Sequence, residues 1–173
     1  MKKFFIIISV SILFIFISII IISNKSVKNN DQSLINFFKK NEKEVKILRR
    51  ERNENDLFVL YQVDNGDIFM KWFTQYRMFR NYYRPIGEAF SSTKFFNTYN
   101  TGNPEEALIV LYGDNSSLNA HKVEFSIDNI TISENISNIK YVLSVYRFYK
   151  KDPGAANIKI FDTEGKAILN DKH

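Results

Sequence analysis

The residues best suited to hold a ligand lie in one stretch: Lys71, Trp72, Phe73, Tyr76, Arg77, Phe79, Arg80, Tyr82, Tyr83 and Arg84. Interleaved rings and cations can stack on bases, rest at a lipid headgroup surface, or bind an anionic envelope polymer or a protein partner. Trp72, Tyr76, Phe79 and Tyr83 are spaced 4, 3 and 4 residues apart. On a helix that spacing places them on one face and Arg77, Arg80 and Arg84 on another. Strands with a turn near Arg77 to Asn81 account for the stretch about as well, given its β-forming residues. Pro85 and Gly87 are expected to end the run in either case. Two roles follow. The aromatics can face the core with the arginines as their solvated side, or Trp72, Tyr76, Arg77, Phe79, Arg80, Tyr82, Tyr83 and Arg84 can form a binding surface.

Enzymatic signals are thin. The chain has no Cys and two His, His121 beside a turn and His173 at the C-terminus. Neither a His-rich metal site nor a Ser-His-Asp set therefore has obvious members. Glu105 and Glu106 are adjacent, which on a helix separates them by about 100°, and acids at a helix start have an ordinary dipole explanation. Asp162-Thr163-Glu164-Gly165 resembles the start of a calcium loop, but the remaining ligand positions are replaced by the apolar run to Leu169. No glycine-rich phosphate loop, nucleophile elbow or HExxH occurs. No catalytic residue, metal or cofactor is expected.

The elements that would position the aromatic and basic stretch begin at the N-terminus. Phe4 to Ile22 holds 16 apolar residues in 19 positions, with Ser9, Ser11 and Ser18 as the exceptions and no charge. As a helix it spans about 28 Å, close to the hydrocarbon thickness of a bilayer. Lys2 and Lys3 precede it, as in a signal anchor. The run exceeds an ordinary cleavable signal, and bulky Ile fills its last four positions before Ser23. The expected organisation is a cytoplasmic tip and transmembrane anchor over 1–23, a flexible tether over 24–30, and an extracytoplasmic domain over 31–173. The localisation is then the cell membrane, single-pass, with the lipid bilayer contacted through residues 4–22. Without Lys2 and Lys3 the formal charge falls from +5 to +3, too small a surplus to argue for nucleic acid. From Ser23 onward 60 of 151 residues are apolar and 22 are aromatic, which fits one lean domain rich in strands.

Within that domain a helix is expected from Asp31 to about Glu44, capped by Asp31 or Ser33, with Leu34, Ile35, Phe37 and Phe38 as its stripe. Strand-like runs follow at Val45 to Arg52, Leu57 to Val63 and from Ile68. Asn65-Gly66 between two of them predicts a hairpin with a type I′ turn. Leu57 to Tyr61 is apolar without alternation, the pattern of a strand buried on both faces. Ser91 to Asn103 reads as a long loop, and Asn103-Pro104-Glu105-Glu106 as one helical turn. Further strands are expected at Ala107 to Tyr112, Lys122 to Ile127, Thr131 to Ser133, Tyr141 to Tyr149, and Asn157 to Phe161, with Lys166 to Leu169 closing a last hairpin. The fold class is α+β and mainly antiparallel β, with about eight strands in a meander or sandwich-like domain.

The Lys-flanked anchor, the short helix, the Val45 to Val63 strand pair, the Trp- and Tyr-rich stretch ending near Gly87, Tyr112-Gly113-Asp114-Asn115, and the closing Ile158 to Asp162 and Gly165 to Ile168 occur in that order. This arrangement resembles a loose set of small, uncharacterised single-anchor extracytoplasmic proteins of low-GC Gram-positive bacteria. The resemblance implies no activity and no functional residues. The leading expectation is a non-enzymatic envelope binding or accessory domain that takes an anionic envelope polymer or a membrane protein partner. The alternatives are a cell-envelope hydrolase with a carboxylate site and a subunit of a membrane complex.

Overall fold

A computed structural model describes residues 2–40, 44–91, 97–100, 107–116, 118–127, 129–148 and 156–172. Two helices, α1 (Lys2–Lys25) and α2 (Asp31–Lys40), precede the strands β1 (Val45–Asn53), β2 (Asp56–Val63), β3 (Ile68–Gln75), β4 (Tyr83–Ser91), β5 (Asn97–Asn100), β6 (Ala107–Asp114), β7 (Lys122–Ile127), β8 (Ile130–Asn135), β9 (Tyr141–Phe148), β10 (Ala156–Phe161) and β11 (Ala167–Lys172). The domain is mainly antiparallel β, as expected. Among the described residues it has eleven strands instead of about eight, arranged in three sheets of order β1-β2-β3-β4, β5-β6-β9 and β11-β10-β7-β8.

The layers follow from two strands that are apolar on both faces. From β2, Leu57, Val59 and Tyr61 pack with Leu34 and Phe38 of α2. Phe58 and Leu60 point the other way, against Leu108, Val110, Tyr112 and Leu143 of the three-stranded sheet. The remaining face of that middle sheet sets Ile109 and Leu111 against Val123, Phe125, Ile158 and Ile160 of the last sheet. The order is therefore helix, sheet, sheet, sheet, and both β2 and β6 read as uninterrupted apolar runs because they lie between layers. Arg147 of β9 fastens two layers, donating from Nη2 to Asp56 Oδ2 at 2.8 Å and from Nε to Asn53 Oδ1 at 3.0 Å.

Several local features differ from the sequence reading. Lys71 to Arg84 is a hairpin, not a helix, so the alternative with a turn near Arg77 to Asn81 is the one observed. Pro85 and Gly87 do not end the run but lie inside β4. As the edge strand of its sheet, β4 tolerates a residue without an N–H, and Pro85 sits beside the register shift between Trp72 and Phe73. Asn97–Asn100, inside the expected loop, pairs with Tyr112 to Ile109 as the edge strand β5. The cap of α2 is Asn30, whose Oδ1 accepts from Ser33 N at 2.8 Å while its carbonyl accepts from Leu34 N at 3.2 Å. The Asn65-Gly66 hairpin forms, but Asn65 does not adopt positive φ. Gly66 alone does, at 90°, with Gly66 N donating to Val63 O. The expected helical turn at Asn103 to Glu106 lies outside the described residues.

The segment expected as a flexible tether is fastened at its middle. Val27 is fully buried and exchanges two backbone hydrogen bonds with Tyr83, of 2.9 and 2.8 Å. Among the described residues no helix is long and apolar enough to cross a membrane. The helix α1 itself runs for 24 residues through the whole Phe4–Ile22 segment, with the side chains at 2–7, 14, 21, 23 and 24 outside the description.

Candidate functional site

The two hairpin turns at one end of the first sheet lie side by side. In the β1–β2 turn Glu54 takes a positive φ of 51°, and the carbonyl of Asn55 accepts from Gln75 N of β3 at 2.7 Å. The β3–β4 turn is closed by Tyr76 N donating to Tyr82 O at 3.0 Å and Tyr82 N to Phe79 O at 2.9 Å. Gln75 Nε2 donates to the carbonyl of Arg80, which ties the turn's apex to its base. Between these turns runs an open groove of about 870 Å³, lined by Arg52, Asn55, Thr74, Gln75, Tyr76, Asn81 and the cationic trio Arg77, Arg80 and Arg84. A second depression of about 420 Å³ shares Arg52, Arg80 and Asn81 and continues to Lys28, Asn29 and Asn30.

The aromatic residues of this stretch divide by strand alternation. Tyr83 is 3 % exposed and packs with Val27, Leu34 and Phe73. Trp72 packs with the middle layers, its ring stacked on Phe58 at 6.0 Å, and its Nε1 is buried without a hydrogen-bond partner among the described residues. Tyr76, Phe79 and Tyr82 are half-buried on the turn, and Arg77, Arg80 and Arg84 are exposed. Lys28 Nζ sits 5.1 Å from the centroid of the Tyr82 ring. Of the eight residues singled out in the sequence, the structure thus gathers Tyr76, Arg77, Arg80 and Arg84 on the groove and Tyr82 and the nearly buried Tyr83 on its extension, leaves Phe79 beside them, and sends Trp72 inward.

Among the described residues no carboxylate lines either depression. Glu54 in the β1–β2 turn and Asp56 at the start of β2 are drawn to Arg147, with Nε to Glu54 Oε2 at 3.8 Å and Nη2 to Asp56 Oδ2 at 2.8 Å. Among the described residues none of Arg77, Arg80 and Arg84 is ion-paired. Unneutralised guanidinium groups facing one concave surface attract anions and offer forked donors that match phosphate oxygens. The lining is polar throughout, unlike the apolar clefts that enclose drug-like molecules. Sequence reasoning missed Arg52, Asn55, Asn81 and Lys28. Arg52 lies near the end of β1, 25 residues before Arg77, and only the pairing of β1 with β2 and β2 with β3 brings the two turns together. The one signal available was turn chemistry at both positions.

Other candidates for chemistry have structural occupations. The Ser137 hydroxyl contacts His121 Nδ1 and donates to Asn135 Oδ1 at 2.6 Å, and the His121 carbonyl accepts from Ile136 N at 2.9 Å, which holds a loop against β7. Asn115 is 4 % exposed and uses both ends of its amide, Oδ1 accepting from Ala120 N at 2.8 Å and Nδ2 donating to Ala120 O at 3.0 Å. Asp162 Oδ1 accepts from the backbone N of Glu164 and Lys166, closing the β10–β11 turn in place of a cation. Glu44 and Asp64 line a shallow depression of about 360 Å³, both exposed to water. Glu105 and Glu106 lie outside the described residues. Among the described residues no group of three or more His, Asp or Glu is placed to hold a metal ion.

No protein family, curated protein or solved structure matches the chain.

Proposed function

We propose that the chain is a single-pass membrane protein, anchored through residues 4–22, whose extracytoplasmic β domain is a non-enzymatic binding module for anionic material of the cell envelope. The observation that carries the reading is the groove with Arg52, Arg77, Arg80 and Arg84 on its walls and no carboxylate among its described lining residues. The anchor is supported by the uncharged Phe4–Ile22 run and by the exposure of its described side chains. Ile12, Leu13, Ile15 and Phe16 are 58 to 64 % exposed, an apolar surface that water does not tolerate over this length. Lys2 and Lys3 at the short N-terminal tail favour export of the large domain.

The full chain in neutral detergent micelles, titrated with a short polyphosphate as a generic phosphate polyanion, tests the binding reading. Salt-sensitive binding that falls at least about tenfold in the Arg77→Gln/Arg80→Gln/Arg84→Gln variant is the expected outcome. Binding that is equal in the two chains, or absent in both, removes the groove from the function. Protease shaving of intact cells tests the topology. The domain is expected to be cut in intact cells, and protection until lysis would turn it to the cytoplasm.

A further inference from the structure

We infer that the groove and the turn beside it grip the phosphodiester headgroups of the same bilayer that holds α1, so that the domain lies down on its own membrane. The inference rests on the anchored, anion-binding reading above and names its ligand. Three observations bear on it independently.

The first is reach. Lys28, Asn29 and Asn30 line the groove's extension, and Lys28 follows the end of α1 at Lys25 by three residues, at most about 11 Å of extended chain. The second is the loss of slack. Ser26 Oγ donates to Ile22 O at 2.5 Å, and Val27 is bonded in both directions to Tyr83, the first residue of β4. The chain leaving the helix is therefore stitched directly to the strand that carries Arg84 and follows the Arg80 turn. The groove has no length of free tether with which to reach a ligand far from the bilayer surface.

The third is the apex of the turn. Met78 is 88 % exposed between Arg77 and Arg80, with Tyr76, Phe79 and Tyr82 half-buried at its base. An apolar tip with cationic shoulders and an aromatic base is the chemistry of an interfacial element. The tip can enter the acyl boundary while guanidinium groups remain at phosphate depth and the ring edges stay wet. A soluble polyanion would engage the arginines but would leave the bare Met78 without a role, which favours the lipid headgroup over a wall polymer.

The chain contains no Cys, so single reporters can be placed cleanly. Met78→Cys at the apex and Thr163→Cys on the distant β10–β11 turn, each labelled with an environment-sensitive fluorophore, would be compared in the full chain. The chain would be held in nanodiscs of phosphatidylcholine alone or mixed with phosphatidylglycerol. The expected result is a blue shift and gain in intensity at position 78 in the anionic discs, with quenching by spin-labelled lipid, and no change at position 163. Adding Arg77→Gln, Arg80→Gln and Arg84→Gln should abolish the shift. An unchanged position 78 in anionic discs overturns the inference. If polyphosphate still binds the micellar protein in that case, the broader reading survives with a polymer as ligand. If it does not, both fall together.

Discussion

The two ends of the layered domain use the same aromatic richness in opposite ways. Residues 24–91, which build the first sheet and α2, hold thirteen Lys and Arg against nine Asp and Glu, whereas residues 92–173 hold nine against ten. At the far end Phe125 stacks on Tyr146 at 5.4 Å and approaches Phe148 at 6.0 Å, and the Tyr146 hydroxyl is bonded to Glu134. Rings and acids there close on one another. At the near end Glu54 and Asp56 are drawn aside by Arg147, and the rings of Tyr76 and Tyr82 line depressions beside guanidinium groups that have no ion-pair partner among the described residues. An aromatic-rich sequence is thus no guide to function by itself. What distinguishes the ends is whether each polar group finds a partner within the fold.

Perturbations should separate the ends by size of effect. The largest is expected between the layers, where Phe58→Ala opens a cavity under Trp72 and costs about 3–5 kcal/mol in denaturant unfolding of the full chain in neutral detergent. Next, Arg147→Met strands the buried Asp56 carboxylate and costs about 3 kcal/mol by the same measurement, since the acid loses its one ion-pair partner among the described residues. A loss below about 1 kcal/mol would mean that Arg147 does not hold the two layers together.

The third perturbation is pH. Burial pushes the Tyr112 phenol up to about 12 from its ordinary 10.0. Tyr61 and Tyr146 are raised further, by burial first and then by the carboxylates of Glu88 and Glu134. Because the folded values lie above the unfolded one, the stability of the neutral buried phenols is fully present below pH 10 and is lost as pH climbs through the folded values. Tyr112→Phe should therefore flatten the alkaline fall in stability between pH 10 and 12 by about 1.4 kcal/mol per unit, followed by tyrosinate absorbance and unfolding. The smallest effect belongs to the exposed pair Asp31–Arg50, 3.2 Å apart, where Asp31→Ala should cost less than about 0.5 kcal/mol and less still at high salt.

Much of the strand pattern was legible. Leu57 to Tyr61 lacked alternation and is buried on both faces, and β7 was bounded to the residue because Lys122 to Ile127 alternates cleanly. What failed was local punctuation without tertiary context. Pro85 and Gly87 signal a stop unless the strand is an edge, and Asn97–Asn100, an edge strand, carries no apolar alternation that would mark it as one. In the candidate site the arginines of the β3–β4 turn were visible as a cluster. The helical spacing of Trp72, Tyr76, Phe79 and Tyr83 was a coincidence of a strand end, a turn and a strand start. Arg52 and Lys28 could not be seen, since neither is near the cluster in sequence.

By itself the sequence determined the uncharged apolar run at the N-terminus, the antiparallel character of the domain, the positions of its plainest hairpin turns and the lack of cysteine. These depend on composition and on spacings of a few residues, which short-range physics reads directly. Only the tertiary structure decided that β2 and β6 lie between layers, that Trp72 and Tyr83 turn inward while Tyr76 stays on the groove, and that Val27 is pinned to Tyr83. It also brought Arg52, Lys28 and Arg77 to Arg84 around one groove, because hydrogen-bond registers across three sheets set those distances and no local preference encodes them.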